Sequence, residues 1–373
     1  MKITLERNED QVALIKALAS RDSAEAAEAK EAFADFASEI IHKVLLQAAT
    51  LSAAYEDLEF DQYSSPTIPL DQYFDVKDTE YVNVWSQTLA GGLPTQITHG
   101  MGEMTFSTYP LNSALAFDKK YAAQARLDVI SKGMTRMIQE FLIKQENNAA
   151  AVLLGALAKA KTTVRSKEFK HVIRSGTAGE FKLQDFNRLF TLIKRIRSSW
   201  AGGTPEARIG RGLTDVYVSP EIVEYFRGMS FNPLNTRGSD DLPGHEDLRK
   251  NIYESSGVPN FYGVNIIEIN ELGSGWKFNQ VFNAYADGEA YGTGSGTSFV
   301  EASEEICIGI DRGMDVAKRP VETVSDPVDG NVSQVSVMPD DQFVSRSEKV
   351  GWYAKLREGR VLLDDRYCVG LIV

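Results

Sequence analysis

The sequence predicts an α+β fold, and three observations carry that prediction. Residues 22–58 and 118–160 repeat apolar side chains at helical spacing, the residues between them alternate with period two, and short apolar runs follow to the last residue. The chain has 373 residues, 43% of them hydrophobic, and 40 Lys and Arg against 52 Asp and Glu give a net charge of −12. A chain of that size buries roughly three quarters of its unfolded surface, which excludes disorder as its main character. Nothing approaches the run of about 18 apolar residues that spans a bilayer, and MKITLERNED lacks the apolar core of a signal peptide; neither a membrane partner nor export is expected. Cys307 and Cys368 are too few for a disulfide framework or a zinc site and are expected as buried thiols.

The first element is a helix. Asp22 followed by Glu25 has the form of a capping box, and Phe33, Phe36, Ile40, Val44, Leu51, Tyr55 and Leu58 hold one narrow stripe, which predicts a single helix from Asp22 to Leu58. Such a helix has no core of its own and must lie against the body of the protein or another chain. From Phe60 to Pro110 the period changes. DQYSSPTIPL reads as an extended connector, TEYVNVWSQTL as a strand, AGGLPT as its turn, and ITHGMGEMTFSTY as the returning strand, with Met104 and Phe106 alternating against Glu103 and Thr105. A long two-stranded hairpin is marginal in water, so its apolar side needs cover from outside itself. Tyr81, Val82, Val84, Trp85, Met104 and Phe106 are therefore the candidate subunit-contact residues. A second long helix begins near Asp118, with Leu127, Ile130, Met134, Ile138 and Phe141 on one face, and runs to about Ala160. Asn147-Asn148 is its expected interruption, because Asn is a poor helix former.

Charge is spread unevenly. Residues 1–60 carry 6 basic and 12 acidic side chains, whereas residues 159–212 carry 13 basic and 4 acidic ones. The basic stretch, with Lys167 and Lys170 in it, is either a solvated face or a surface toward nucleic acid or an acidic neighbouring subunit. A compact α/β region follows: a helix with Phe186, Leu189, Phe190, Ile193, Ile196 and Trp200, the loop AGGTPEARIGRG, the strand DVYVS, and a helix capped by Ser219 with Pro220 in its first position. Residues 228–262 read as a long polar loop. Strands are expected at VNIIEIN, NQVFNAYA and EEICIGID, and the chain closes on KVGWYAKLR and VLLDDRYCVGLIV.

No chemistry-bearing constellation emerges. His42, His99, His171 and His245 have no metal-ligand spacing to one another or to a Cys or Asp. YGTGSGTS at 291–298 lacks the Gly-Lys-Ser/Thr ending of a phosphate loop, and no GxSxG elbow surrounds Ser219. Adjacent acids such as Asp240-Asp241, Glu304-Glu305 and Asp364-Asp365 point to opposite faces of a strand and do not converge on one substrate atom. No catalytic residue, cofactor or metal is expected.

The order of these elements resembles the HK97-type major capsid protein of tailed bacteriophages over nearly the whole chain. The hairpin from Phe60 to Tyr109 stands in the place of that family's E-loop, and RLDVISKGMTRMIQEFLIKQENNAAAVLLGAL in the place of its spine helix. TDVYVSPEIVEYFRG is similar to the central A-domain element, and EEICIGIDRGMDV with EKVGWYAKLREGRVLLDDRYCVGLIV to the C-terminal strands. The resemblance implies an N-terminal arm over 1–58, the E-loop over 59–116, a P-domain with the spine helix over 117–180, an A-domain over 181–320 and returning strands over 321–373. It further implies a non-enzymatic shell of hexamers and pentamers around double-stranded DNA, assembled in the host cytoplasm, with scaffolding, portal and decoration proteins as partners. Covalent cross-linking in the family needs a Lys on the hairpin; Lys77, the one Lys between residues 60 and 110, lies near its base, and a shell without cross-links is expected. An encapsulin-type compartment of the same fold, and a soluble oligomeric α/β enzyme, are the alternatives.

Overall fold

A computed structural model of the chain describes residues 8–20, 22–47, 51–62, 64–69, 103–164, 166–176, 179–197, 212–231, 263–291, 297–325, 332–340 and 348–373. It separates into two compact units, the first drawn from Met1–Pro66, Thr105–Asn148 and Arg319–Val361, the second from Thr67–Met104, Ala149–Lys318 and Leu362–Val373.

In the first unit Asn8 starts a short helix, Glu9–Ala17, by accepting the Glu9 N–H at 2.9 Å. Asp22 then caps a longer one, Ser23–Gln47, its Oδ1 accepting the Ala24 N–H at 3.0 Å. Glu25 does not reach back to Asp22 as a full capping box would; Ser20 stands between them, donating to Glu25 at 2.6 Å and accepting the Asp22 N–H at 3.2 Å. This helix is described to Gln47, and it does not extend to the predicted Leu58. From Leu51 onward a single 3-10 turn, Leu51–Ala54, and a strand, Glu56–Asp61, stand where the helix was predicted. Leu51 and Tyr55 are buried even so, which is why the apolar spacing ran on past the helix.

The sheet of this unit is organised by the strand Lys349–Glu358. It pairs antiparallel with all ten residues of Tyr109–Asp118, from Tyr109 opposite Glu358 to Asp118 opposite Lys349. Val335–Pro339 flanks it on the other side, and Ala317–Ser325 continues the sheet to Glu56–Asp61. Alternation places Val350, Trp352, Ala354 and Leu356 on one face, where the helices pack. Trp352 lies 4.5 Å from the Phe33 ring and 5.3 Å from Phe117, and its Nε1 donates to the Lys30 carbonyl at 3.2 Å. Ile130 and Met134 complete this cluster, and Ile41, Ile138 and Phe141 form the next around Leu111 and Leu356.

The second predicted helix is broken at its start. Lys119–Ala123 is a short helix of its own, Ala125 takes a left-handed φ of 50°, and Leu127–Ala158 then runs unbroken for 32 residues, about 48 Å. Asn147 and Asn148 do not interrupt it. Gly133 lies against Leu115 within it: a Cβ there would stand 2.7 Å from Leu115 Cδ1, so that side chain would have to shift.

In the second unit five strands lie in the order Val172–Arg174, Cys368–Ile372, Ile306–Ile310, Asp215–Val218 and Asn265–Glu268. The outer pairs are parallel and the inner pairs antiparallel. Helix Leu183–Arg197 packs Phe186, Leu189, Ile193 and Ile196 onto one face with Cys307, Val369 and Leu371. Gly370 turns to the other face, where Leu157 of the long helix approaches to 3.2 Å of where its Cβ would be. Ser219 caps helix Pro220–Phe231 as predicted: its carbonyl accepts the Val223 N–H at 3.2 Å and its Oγ the Ile222 N–H at 3.3 Å. NQVFNAYA, expected as a strand, is helix Lys277–Ala286, because Phe278, Phe282 and Ala286 fall four apart and bury together.

Candidate assembly surface

Of the hairpin, the described residues are its base: Thr67–Pro69 pairs with Glu103–Thr105, and Phe106 donates its N–H to the Pro66 carbonyl at 3.0 Å. Met104 and Phe106 were expected on one face of a continuous strand. The strand ends at Thr105, so Met104 is 41% exposed while Phe106 is buried in its own chain. Tyr81, Val82, Val84 and Trp85 lie outside the described residues, as do Lys77 and the hairpin tip. Other exposed apolar or aromatic side chains that a surface could use include Trp276, at 55% exposure, and Val300, at 48%, in the second unit.

The paired acids and the two thiols are engaged structurally. Glu304 pairs with Arg174, and Glu305 accepts the Ser219 hydroxyl. Burial raises the Glu305 carboxyl above its usual range, with the Ser219 hydrogen bond opposing that rise. Asp364 caps the turn Asp365–Tyr367 and holds Arg366 with both oxygens. Cys307 and Cys368 are free and buried, and burial pushes both thiols up, away from nucleophilic thiolate. Among the described residues no group of three His, Cys, Asp or Glu side chains is placed to hold a metal, and no helix is long and apolar enough to cross a membrane.

The basic stretch is resolved into two parts. One part is paired within the unit: Lys161 and Lys170 converge on Glu289 at 3.0 and 3.2 Å, Arg174 meets Glu304, and Arg197 meets Asp311 at 2.5 Å. These carboxylates stand more than 110 positions away in sequence, so the spacing of the stretch itself gave no sign of them. The other part faces outward around a groove of about 530 Å³ between the hairpin Lys161–Lys170 and helix Leu183–Arg197. Lys167, Arg188 and Arg195 are exposed on its rim, and Phe169, Ile173 and Leu192 are half-buried in its floor. Lys167 Nζ stands over the Phe169 ring at 5.1 Å.

No family model matches the chain, and no curated protein does. Solved structures similar to it include shell proteins. The capsid of an empty GTA particle is 14% identical, with 87% of this chain and 89% of that chain covered at a TM-score of 0.49. The capsid of the cyanophage P-SCSP1u is 12% identical over 85% of this chain and 86% of that one, with a TM-score of 0.45. The holo-SrpI encapsulin complex from Synechococcus elongatus PCC 7942 is 10% identical over 86% and 85%, with a TM-score of 0.44. The likeness of this chain is to phage capsid proteins, with an encapsulin beside them.

Proposed function

We propose that this chain is a major capsid protein of the HK97 type, which assembles as hexamers and pentamers into an icosahedral shell enclosing double-stranded DNA. The observation that carries the reading is the succession of elements along the chain. An amphipathic helix, a hairpin base, a ten-residue strand, a 32-residue helix and a five-stranded α/β unit follow in that order, and a late strand returns to pair with the first long one. Boundaries near 58, 116, 180 and 320 then mark the arm, E-loop, P-domain and A-domain. Tyr81, Val82, Val84, Trp85 and Met104 provide the hairpin's contact with a neighbouring subunit. The reading assigns the chain no turnover and gives it scaffolding, portal and decoration proteins as partners in the host cytoplasm.

The net charge of −12 suits a container. A wall with no general affinity for phosphate lets DNA enter without adhering. Negative-stain microscopy of the chain co-expressed with phage assembly proteins tests the reading: closed shells are expected, and nuclease-protected DNA inside them. A monomer or small oligomer would overturn it, and shells filled with a protein cargo would replace it by a compartment of the encapsulin kind.

A further inference from the structure

We infer that the groove between the hairpin Lys161–Lys170 and helix Leu183–Arg197 is a binding site for a free nucleoside 5′-phosphate, its base laid on Phe169 and its phosphate held by Lys167 and Arg188. At about 530 Å³ the groove falls within the range of small-molecule sites, which are mostly apolar with a few placed polar groups. The strand Lys167–Lys170 sorts its side chains by alternation. Lys167 and Phe169 line the groove, while Lys170, and Glu168 with it, belong to the other face, where Lys170 meets Glu289 at 3.2 Å. Across from them Gln184, Asn187 and Arg188, three and four positions apart on the helix, share one exposed face. No carboxylate lines the groove. Asp185 is buried and accepts from Ser175, the Gly176 N–H and Arg188, and Arg188 is left half exposed on the groove wall.

Each part of the lining answers one part of such a ligand. Phe169, Ile173 and Leu192 pack by their inner sides onto the unit's core and leave the remainder of each side chain to the groove, an apolar floor with one ring on which a base stacks. Gln184 and Asn187 carry amides that both donate and accept, the pairing that the polar edge of a base requires. Lys167 Nζ stands 5.1 Å from the centre of the Phe169 ring. A phosphate draws that ammonium off the ring into a charge-assisted hydrogen bond and leaves the ring face to the base. Other anions fit less of the lining. A nucleic-acid strand needs a track of cations along its backbone, and a duplex keeps its base faces stacked on one another; two cations beside one ring suit a single nucleotide. An acyl carboxylate would use the cations and the floor and neither amide.

Isothermal titration calorimetry on the full chain, with circular dichroism confirming the fold, tests this. Adenosine 5′-monophosphate should bind at one site per chain. Ribose 5-phosphate, which lacks the base, and adenosine, which lacks the phosphate, should each bind at least about tenfold more weakly. K167E and F169L should each weaken nucleotide binding by a similar factor, and Q184A/N187A should weaken it while leaving ribose 5-phosphate unchanged. Phe169 also packs on the core, so where F169L loses the parent's circular dichroism the decision passes to K167E and Q184A/N187A. Absence of nucleotide binding, equal affinity for adenosine 5′-monophosphate and ribose 5-phosphate, or parent-like binding by K167E overturns the inference. A single-stranded oligonucleotide that binds and is not displaced by adenosine 5′-monophosphate also overturns it and makes the groove a nucleic-acid face. The site stands whether or not the chain builds a shell, so loss of either reading leaves the other intact.

Discussion

His171 shows how much one buried side chain is constrained. It is fully buried; Nδ1 faces the carbonyl oxygens of Asp365 and Cys368 at 3.0 and 3.1 Å, and Nε2 lies 2.7 Å from the Thr162 hydroxyl. Two carbonyls can only accept, so Nδ1 carries the proton and the neutral ring takes the Thr162 O–H at Nε2. Burial lowers the pKa from 6.5, outweighing the nearby Asp365 charge. His42 is lowered as well, by burial and then by Arg319. A folded-state pKa below the unfolded one means the unfolded chain binds more protons in between. Stability is therefore fully present above pH 6.5 and is lost as pH falls from there toward the folded value, with a slope of up to about 1.4 kcal/mol per pH unit for each histidine. Denaturant unfolding at several pH values should show this acid limb, and His171→Gln should flatten it; an identical slope in the variant would contradict the assignment.

Among the elements, those written by periodicity were legible and those decided by distant partners were not. The long helix and the strand at 349–358 follow from spacing, because their apolar positions repeat at 3.6 or 2 residues, whereas the strand at 109–118 went unread between the hairpin and the helix. NQVFNAYA misled because Val281, Phe282 and Tyr285 are strand formers by type, while the four-residue spacing of Phe278, Phe282 and Ala286 pointed to the helix it is. The charge network on the strand Lys349–Glu358 had no local signature at all. Glu358 is buried between Arg319 Nε at 3.3 Å, Arg360 Nη2 at 3.4 Å and Gln145 Nε2 at 3.1 Å, and Arg319 also reaches Asp57 at 3.3 Å. Arg360 lies over the Tyr55 ring and donates to Ser52, so one buried carboxylate ties the chain after the arm helix to the returning strands. Glu358→Gln leaves two guanidiniums facing each other without their shared anion and should destabilise the fold by about 3–5 kcal/mol. Equilibrium unfolding in guanidinium chloride reads that cost directly, and a loss below 1 kcal/mol would mean that water shields the site.

At the scale of the whole molecule the sequence supplied the order of parts and the structure supplied what the basic stretch does. Four of its basic side chains, Lys161, Lys170, Arg174 and Arg197, are paired inside the second unit with Glu289, Glu304 and Asp311, and Lys167, Arg188 and Arg195 edge one groove. The hairpin's aromatic residues stay an inference from sequence, since Tyr81 and Trp85 fall outside the described residues. Trp85→Ala should reduce particle yield at least tenfold while leaving soluble yield and circular dichroism near those of the parent, because the side chain is assigned to a neighbour's surface and not to its own core. Equal losses of soluble protein and of particles would place it in the core instead.

The pairing of Tyr109–Asp118 with Lys349–Glu358 has a consequence for synthesis. The first strand leaves the ribosome about 240 residues before its partner, a delay on the order of 12–48 s at ordinary translation rates. Until then the sheet of the first unit lacks the strand that both Tyr109–Asp118 and Val335–Pro339 bond to, and the second unit waits likewise for Cys368–Ile372. Nascent and prematurely released chains therefore cannot present finished surfaces to one another. On the shell reading, assembly is reserved for chains translated through both strands, a proofreading step that requires no enzyme.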